Sequence, residues 1–149
     1  MSAYTENVGN KLNKLLEKTY DAEKGYEKAA ENTENVVLKT FFNKKSKQRY
    51  NFGHDLKDEI TSFGQKIEKK GSIAGAAHRT WMDFKALISS NDSEAMIKEA
   101  IRGEKSSVEE YNDVLSETSL PTSTATLLKK QKNQIELDLS TEKIMEKIS

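Results

Sequence analysis

The stretch "EAIRGEKSSVEEYNDVL", residues 99–115, decides the fold. With Ile97 just ahead of it, Ile101, Val108, Tyr111 and Leu115 recur at helical spacing and share one face. Glu104 falls in line with these five, at the centre of their stripe. Gly103 precedes it, and a glycine inside a helix costs roughly 0.8–1 kcal/mol relative to alanine. An ionised carboxylate on a core-facing stripe is costly to bury alone. The helix therefore belongs to an assembly whose other members compensate that acid.

Those members are legible on either side. A first helix is expected from about Tyr4 to Glu31, with Val8, Leu12, Leu15, Leu16, Thr19, Tyr26 and Ala30 on one face. "ENTEN" breaks it, and Thr33 is expected to cap the next helix. That second helix is expected over Glu34–Phe63, through Leu38, Phe41, Phe42, Phe52, Leu56 and Ile60, with Gly64 as its C-cap. A connection from Gln65 to Asn91 contains "IAGAAHRTWMDFKALI", which can form one short amphipathic helix. The third helix is expected over Ser93–Glu117, with Asn91 or Asp92 as its cap. "TSLPTST" ends it around Pro121. The fourth, capped by Thr122 or Ser123, runs through Leu127, Leu128, Ile135, Leu139 and Met145. Two short connections and one long one define a single all-α domain over residues 1–149. Its expected form is a four-helix bundle with a long crossover between helices 2 and 3 that carries the short extra helix, which is the ferritin-like arrangement.

Composition agrees with a helical domain and excludes much else. The chain has 149 residues, one proline and no cysteine, and its 24 basic and 24 acidic residues cancel. No basic excess points to nucleic acid. There is no disulfide framework and no thiolate metal site. No apolar run is long enough for a bilayer, and "MSAYTENVGN" has neither the basic nor the apolar region of a signal peptide. The expected location is the cytoplasm. A homodimer is compatible with a helical bundle, though no surface stripe defines one.

Four further acids accompany Glu104. Glu23 lies near the centre of the first stripe, and Asp138 lies less centrally between Leu127, Ile135 and Met145. On the second helix Asp55 is at the edge of the stripe and Glu59 closer to its centre. A faint repeat relates the two halves: "QRYNFGHDL" (48–56) aligns with "QKNQIELDL" (131–139), matching Gln48 to Gln131 and Asp55 to Asp138. Two accounts of these acids stand side by side. In one, Glu23, Asp55, Glu59, Glu104 and Asp138 are ligands of a core metal, with Gln131 supporting them. Oxygen donors suit Fe or Mn. In the other, Lys45 and Arg49, on the core face of helix 2, neutralise Glu23 or Glu104, and Gln48 and Gln131 add hydrogen bonds. Carboxylate di-metal bundles draw a Glu-x-x-His from each of two helices, and those histidines are missing here. His54 is phased away from the core, His78 lies on the crossover, and Tyr26 and Tyr111 are expected as core aromatics with hydrogen-bonded hydroxyls. Gly25, Gly53 and Gly103, each within two residues of one of these acids, are consistent with close helix packing.

The segments "DAEKGYEKAAE" (21–31), "QRYNFGHDLKDEI" (48–60), "GSIAGAAHRTWMDFKALIS" (71–89), "EAIRGEKSSVEEYNDVL" (99–115) and "LP…LLKKQKNQI" (120–135) together resemble a bacterial family of ferritin-like four-helix-bundle proteins whose domain has no assigned function. The Gly103–Glu104 pair, with Tyr111 seven residues on, is similar to the third helix of rubrerythrin-type di-iron proteins. The resemblance implies the ferritin-like bundle and, by analogy, iron handling or a stress response. Ile101 and Leu139 stand where relatives often carry an acid and a histidine. Asp58 and Thr141 stand where a di-iron bundle would place histidine.

Overall fold

A computed structural model describes residues 3–62, 64–66, 93–116 and 120–148. Four helices form: α1 (Ala3–Asn32), α2 (Val36–Ser62), α3 (Ser93–Leu115) and α4 (Thr122–Ile148). There is no strand among the described residues. None of these helices is long and apolar enough to cross a membrane. The expected crossover helix, His78 and the cap at Asn91 or Asp92 lie outside the described residues.

Local chemistry sets the helix ends. Thr33 is not the cap of α2: its amide still closes the last turn of α1 on Ala29 at 3.1 Å. Asn35 caps instead, its Oδ1 accepting from the Leu38 amide at 3.1 Å, three residues on, as an N-cap side chain does. Thr33 contributes one step back, its Oγ1 accepting from the Asn35 amide at 3.2 Å. Gly64 ends α2 as expected: its φ is 71° and its amide donates to the Thr61 carbonyl at 2.9 Å. This left-handed conformation suits a residue without Cβ. The cap position of α4 is Pro121, one residue ahead of the expected Thr122, with the Ala125 amide donating to the Pro121 carbonyl at 3.0 Å.

α1 packs on α2, α3 on α4, α1 on α3 and α2 on α4, so the helices occupy the corners of a square. Two apolar clusters give their directions. One gathers Tyr26, Ala29 and Ala30 from the end of α1, Leu38 and Phe42 from the start of α2 and Met96, Ile97, Ala100 and Ile101 from the start of α3, with Leu139 and Met145 of α4 against it. The other gathers Val8, Leu12, Leu15 and Leu16, then Leu56 and Ile60, then Tyr111 and Val114, then Leu128 and Ile135. α1 and α4 therefore run one way, and α2 and α3 the other. α2 and α3, parallel and diagonal to each other, are the pair joined through residues outside those described.

Candidate functional site: a buried polar layer

Between the two apolar clusters lies a band of charge. Lys45, Arg49, Glu104, Gln131 and Glu142 are all 2% exposed or less, a level that charged side chains reach only when something compensates them. Helical periodicity put them there. Lys45 and Arg49 continue the α2 stripe of Leu38, Phe42, Leu56 and Ile60, and Glu104 continues that of Ile97, Ile101 and Tyr111.

The charges meet across the diagonal. The Lys45 ammonium donates to Glu104 Oε2 at 3.0 Å, to Asp138 Oδ2 at 2.7 Å and to Gln48 Oε1 at 3.0 Å. Its three protons are thereby matched to three acceptors. The Arg49 Nη2 donates to the other Glu104 oxygen, Oε1. Asp138 also accepts from Gln48 Nε2 at 2.7 Å and from Gln134 Nε2 at 3.3 Å. Both cations also stand near the Tyr26 ring, Lys45 Nζ at 5.6 Å from its centroid and Arg49 Cζ at 5.8 Å. That separation is within cation–π range.

Electrostatics follows this geometry. Burial works against the Arg49 charge, but Glu104 outweighs it and holds the guanidinium above its ordinary value. Burial likewise opposes ionisation of Asp138, and Lys45 with its hydrogen bonds brings that carboxyl below the usual range. The Tyr26 phenol is pushed well up by burial and by the facing Glu104, so it stays neutral. The Tyr111 phenol, also raised by burial, donates to Gln131 Oε1 at 2.6 Å. The Gln131 amide in turn donates to the Phe52 carbonyl at 3.3 Å.

Of the five acids singled out in the sequence, the structure brings two together: Glu104 and Asp138, bridged by Lys45. Glu23 is half-buried on α1, where its backbone carbonyl accepts from Ser46 Oγ at 3.0 Å. Asp55 is exposed. Glu59 sits at the start of α4 and accepts from Ser123 Oγ at 3.0 Å and Thr124 Oγ1 at 2.6 Å. Among the described residues no three Asp, Glu or His side chains gather as a metal-holding group. The sequence repeat is not carried into the contacts: Asp138 is held by Lys45 while Asp55 faces solvent, and Gln48 bonds Asp138 while Gln131 bonds Tyr111. His54 is exposed, edge-on to Tyr50 with ring centroids 4.7 Å apart.

Sequence reasoning missed Glu142. It is 1% exposed, and neither carboxylate oxygen has a hydrogen-bond partner among the described residues. The signal was available: Leu128, Ile135 and Glu142 fall seven apart, two turns each. A separate ion pair, Lys18 with Glu110, joins α1 to α3 at the rim of a groove of about 100 Å³ lined by Lys11, Lys14, Leu15, Asp113 and Val114. Burial raises the Glu110 carboxyl, and Lys18 only partly offsets it.

Residues 7–117 match the family described as "Domain of unknown function (DUF2383)". The chain belongs to that family. Comparison with curated proteins and with solved structures gives no match. The DUF2383 match takes in most of α1, all of α2 and α3, and so Lys45, Arg49 and Glu104. α4, which supplies Asp138, Gln131 and Glu142, lies beyond it.

Proposed function

We propose that this chain is a ferritin-like bundle serving as a structural or protein-interaction scaffold, with core carboxylates neutralised by its own cations. One observation carries the reading: the Lys45 ammonium lies between Glu104 and Asp138, at 3.0 and 2.7 Å, so both carboxylates are already engaged by a cation of the chain itself. Arg49 takes the remaining Glu104 oxygen. A carboxylate so engaged has little left to offer a metal ion, and binding one would first strand two buried cations. The parallel course of the diagonal α2 and α3 supports the ferritin-like arrangement, which needs one long crossover.

The interaction role finds support on the outer surface. Leu137 and Ile144, seven residues apart on α4, are 63% and 61% exposed, and Val36 and Val37 at the start of α2 are more exposed still. Self-association into a homodimer is the simplest use of such residues.

The competing reading places Fe or Mn on Glu23, Asp55, Glu59, Glu104 and Asp138. Elemental analysis of the purified protein, with thermal melting in the presence and absence of Fe(II) and Mn(II), separates the two. The scaffold reading expects no stoichiometric metal and an unchanged Tm. A bound metal together with a Tm that rises with its concentration, as mass action requires, overturns it.

A further inference from the structure

The polar layer contains two cations and three carboxyls. Lys45 and Arg49 are balanced by Glu104 and Asp138, each in direct ion-pair contact. That leaves Glu142, buried to 1% and with both oxygens lacking a hydrogen-bond partner among the described residues. An ionised carboxylate in that position would add an uncompensated buried charge, the costliest arrangement a core can hold. A neutral carboxyl removes that charge and leaves the layer with equal numbers of each sign.

We infer that Glu142 carries a proton in the folded protein, so that the bundle takes up one proton from neutral solution as it folds and gives it back as it opens. The groups facing Glu142 come from all four helices: Tyr26 from α1, Lys45 and Arg49 from α2, Glu104 from α3 and Asp138 from α4 itself. Burial and the negative Glu104 push the Glu142 carboxyl well above its ordinary 4.5, with Asp138 adding to the rise. Lys45 and Arg49 pull the other way, but their hydrogen bonds go to Glu104 and Asp138. Tyr26 stays neutral, so it adds no charge.

Because the folded value lies above the unfolded one, the native state holds the extra proton between the two. Its contribution to stability is complete below the unfolded value and is lost as pH rises through the folded value. Linkage of one full proton lowers the folding equilibrium constant by up to tenfold per pH unit across that window. The bundle is thus built to loosen on the alkaline side, and its trigger lies inside the core.

The experiment is 13Cδ NMR of glutamate-labelled protein between about pH 4 and 10, a range spanning the ordinary glutamate value, with the Glu142 resonance assigned from Glu142→Gln. Melting temperatures are recorded over the same range. The expected results are a protonated-carboxyl shift for Glu142 at pH 7 and a wild-type Tm that declines with rising pH. In Glu142→Gln, which keeps the neutral shape, that decline is flattened. A carboxylate shift at pH 7, with or without dependence on added Na⁺, K⁺ or Mg²⁺, overturns the inference. So does a Glu142→Gln protein whose Tm falls with pH in parallel with the wild type. Should Glu142→Gln fail to fold, Glu142→Asp, which removes one glutamate 13Cδ resonance and keeps the carboxyl, supplies the assignment, and the wild-type titration decides by the same criterion.

Discussion

Lys45 of α2 donates to Glu104 of α3 at 3.0 Å, although the two helices stand at opposite corners of the bundle. The contact crosses the core rather than a helix–helix seam. Removing one member leaves its partners buried and unmatched. Glu104→Gln is therefore expected to destabilise the protein by about 3–5 kcal/mol, read as a lowered urea midpoint at unchanged m-value. Replacing Lys45, Arg49 and Glu104 together by Met, Met and Leu removes both signs at once and is expected to cost less than that single change.

Asp138 sets the acid side of the stability profile. Its folded carboxyl lies below the ordinary 3.8 because Lys45 and two amides favour the charged form against the opposing effect of burial. Its contribution is present above the unfolded value and disappears as pH falls through the folded one. Asp138→Asn is expected to flatten the loss of Tm below about pH 4. An unaltered acid limb would show that Asp138 is not the group responsible.

Two glycines differ in what an added methyl would meet. At Gly53 the new Cβ would stand 3.5 Å from Tyr20 Cε1 and 3.7 Å from Leu16 Cδ1, ordinary contact distances. Gly53→Ala is expected to stabilise by about 0.5–1 kcal/mol through helix propensity. At Gly9 the Cβ would collide with Gln65 Cγ, at the exit from α2. Gly9→Ala is expected to lose that gain by displacing Gln65. Thermal melting of the two variants side by side checks the contrast.

Glu59 joins the end of α2 to the start of α4 through Ser123 and Thr124. A negative charge beside a helix N-terminus is also favoured by the helix dipole. Glu59→Ala is expected to cost about 1–2 kcal/mol without disturbing the distant Glu104 ion pairs. A larger loss, accompanied by metal release, would instead favour Glu59 as a ligand.

Leu137→Lys with Ile144→Lys tests the outer face of α4. Both side chains are exposed, so folding stability is expected to move by no more than about 0.5 kcal/mol. Light scattering is expected to show weakened self-association in the variant. An oligomeric state identical to the wild type's would remove the homodimer reading.

Periodicity made the four helices and most of their core readable. The apolar residues and Thr19 assigned to the first stripe, from Val8 to Ala30, are all buried, and Glu23 among them is half-buried. That Lys45 and Arg49 would meet Glu23 or Glu104 was also legible, because an i, i+4 pair on a core face must meet something of opposite sign; which of the two acids answers them was not, and it is Glu104. The α2 cap was misplaced because Thr33 and Asn35 are both competent caps; α1 runs on to Asn32, and its last turn draws in the Thr33 amide. Asp55 was drawn toward the core by its alignment with Asp138, yet equivalent positions in a repeat need not share a face. Glu142 escaped because α4 also carries Leu137 and Ile144 on its outer face, which blurs the apolar stripe that would have exposed an acid within it.

The charged band also removes a sliding freedom from the bundle. Apolar stripes tolerate displacement of one helix along its neighbour by a turn, about 5.4 Å, since one aliphatic side chain substitutes for another. Such a slip of α3 would break the register in which Glu104 meets Lys45 and Arg49 at once and leave buried charge without its counter-charge. Of the alignments that greasy contacts alone would accept, one survives, much as a keyed shaft seats its hub at a single angle.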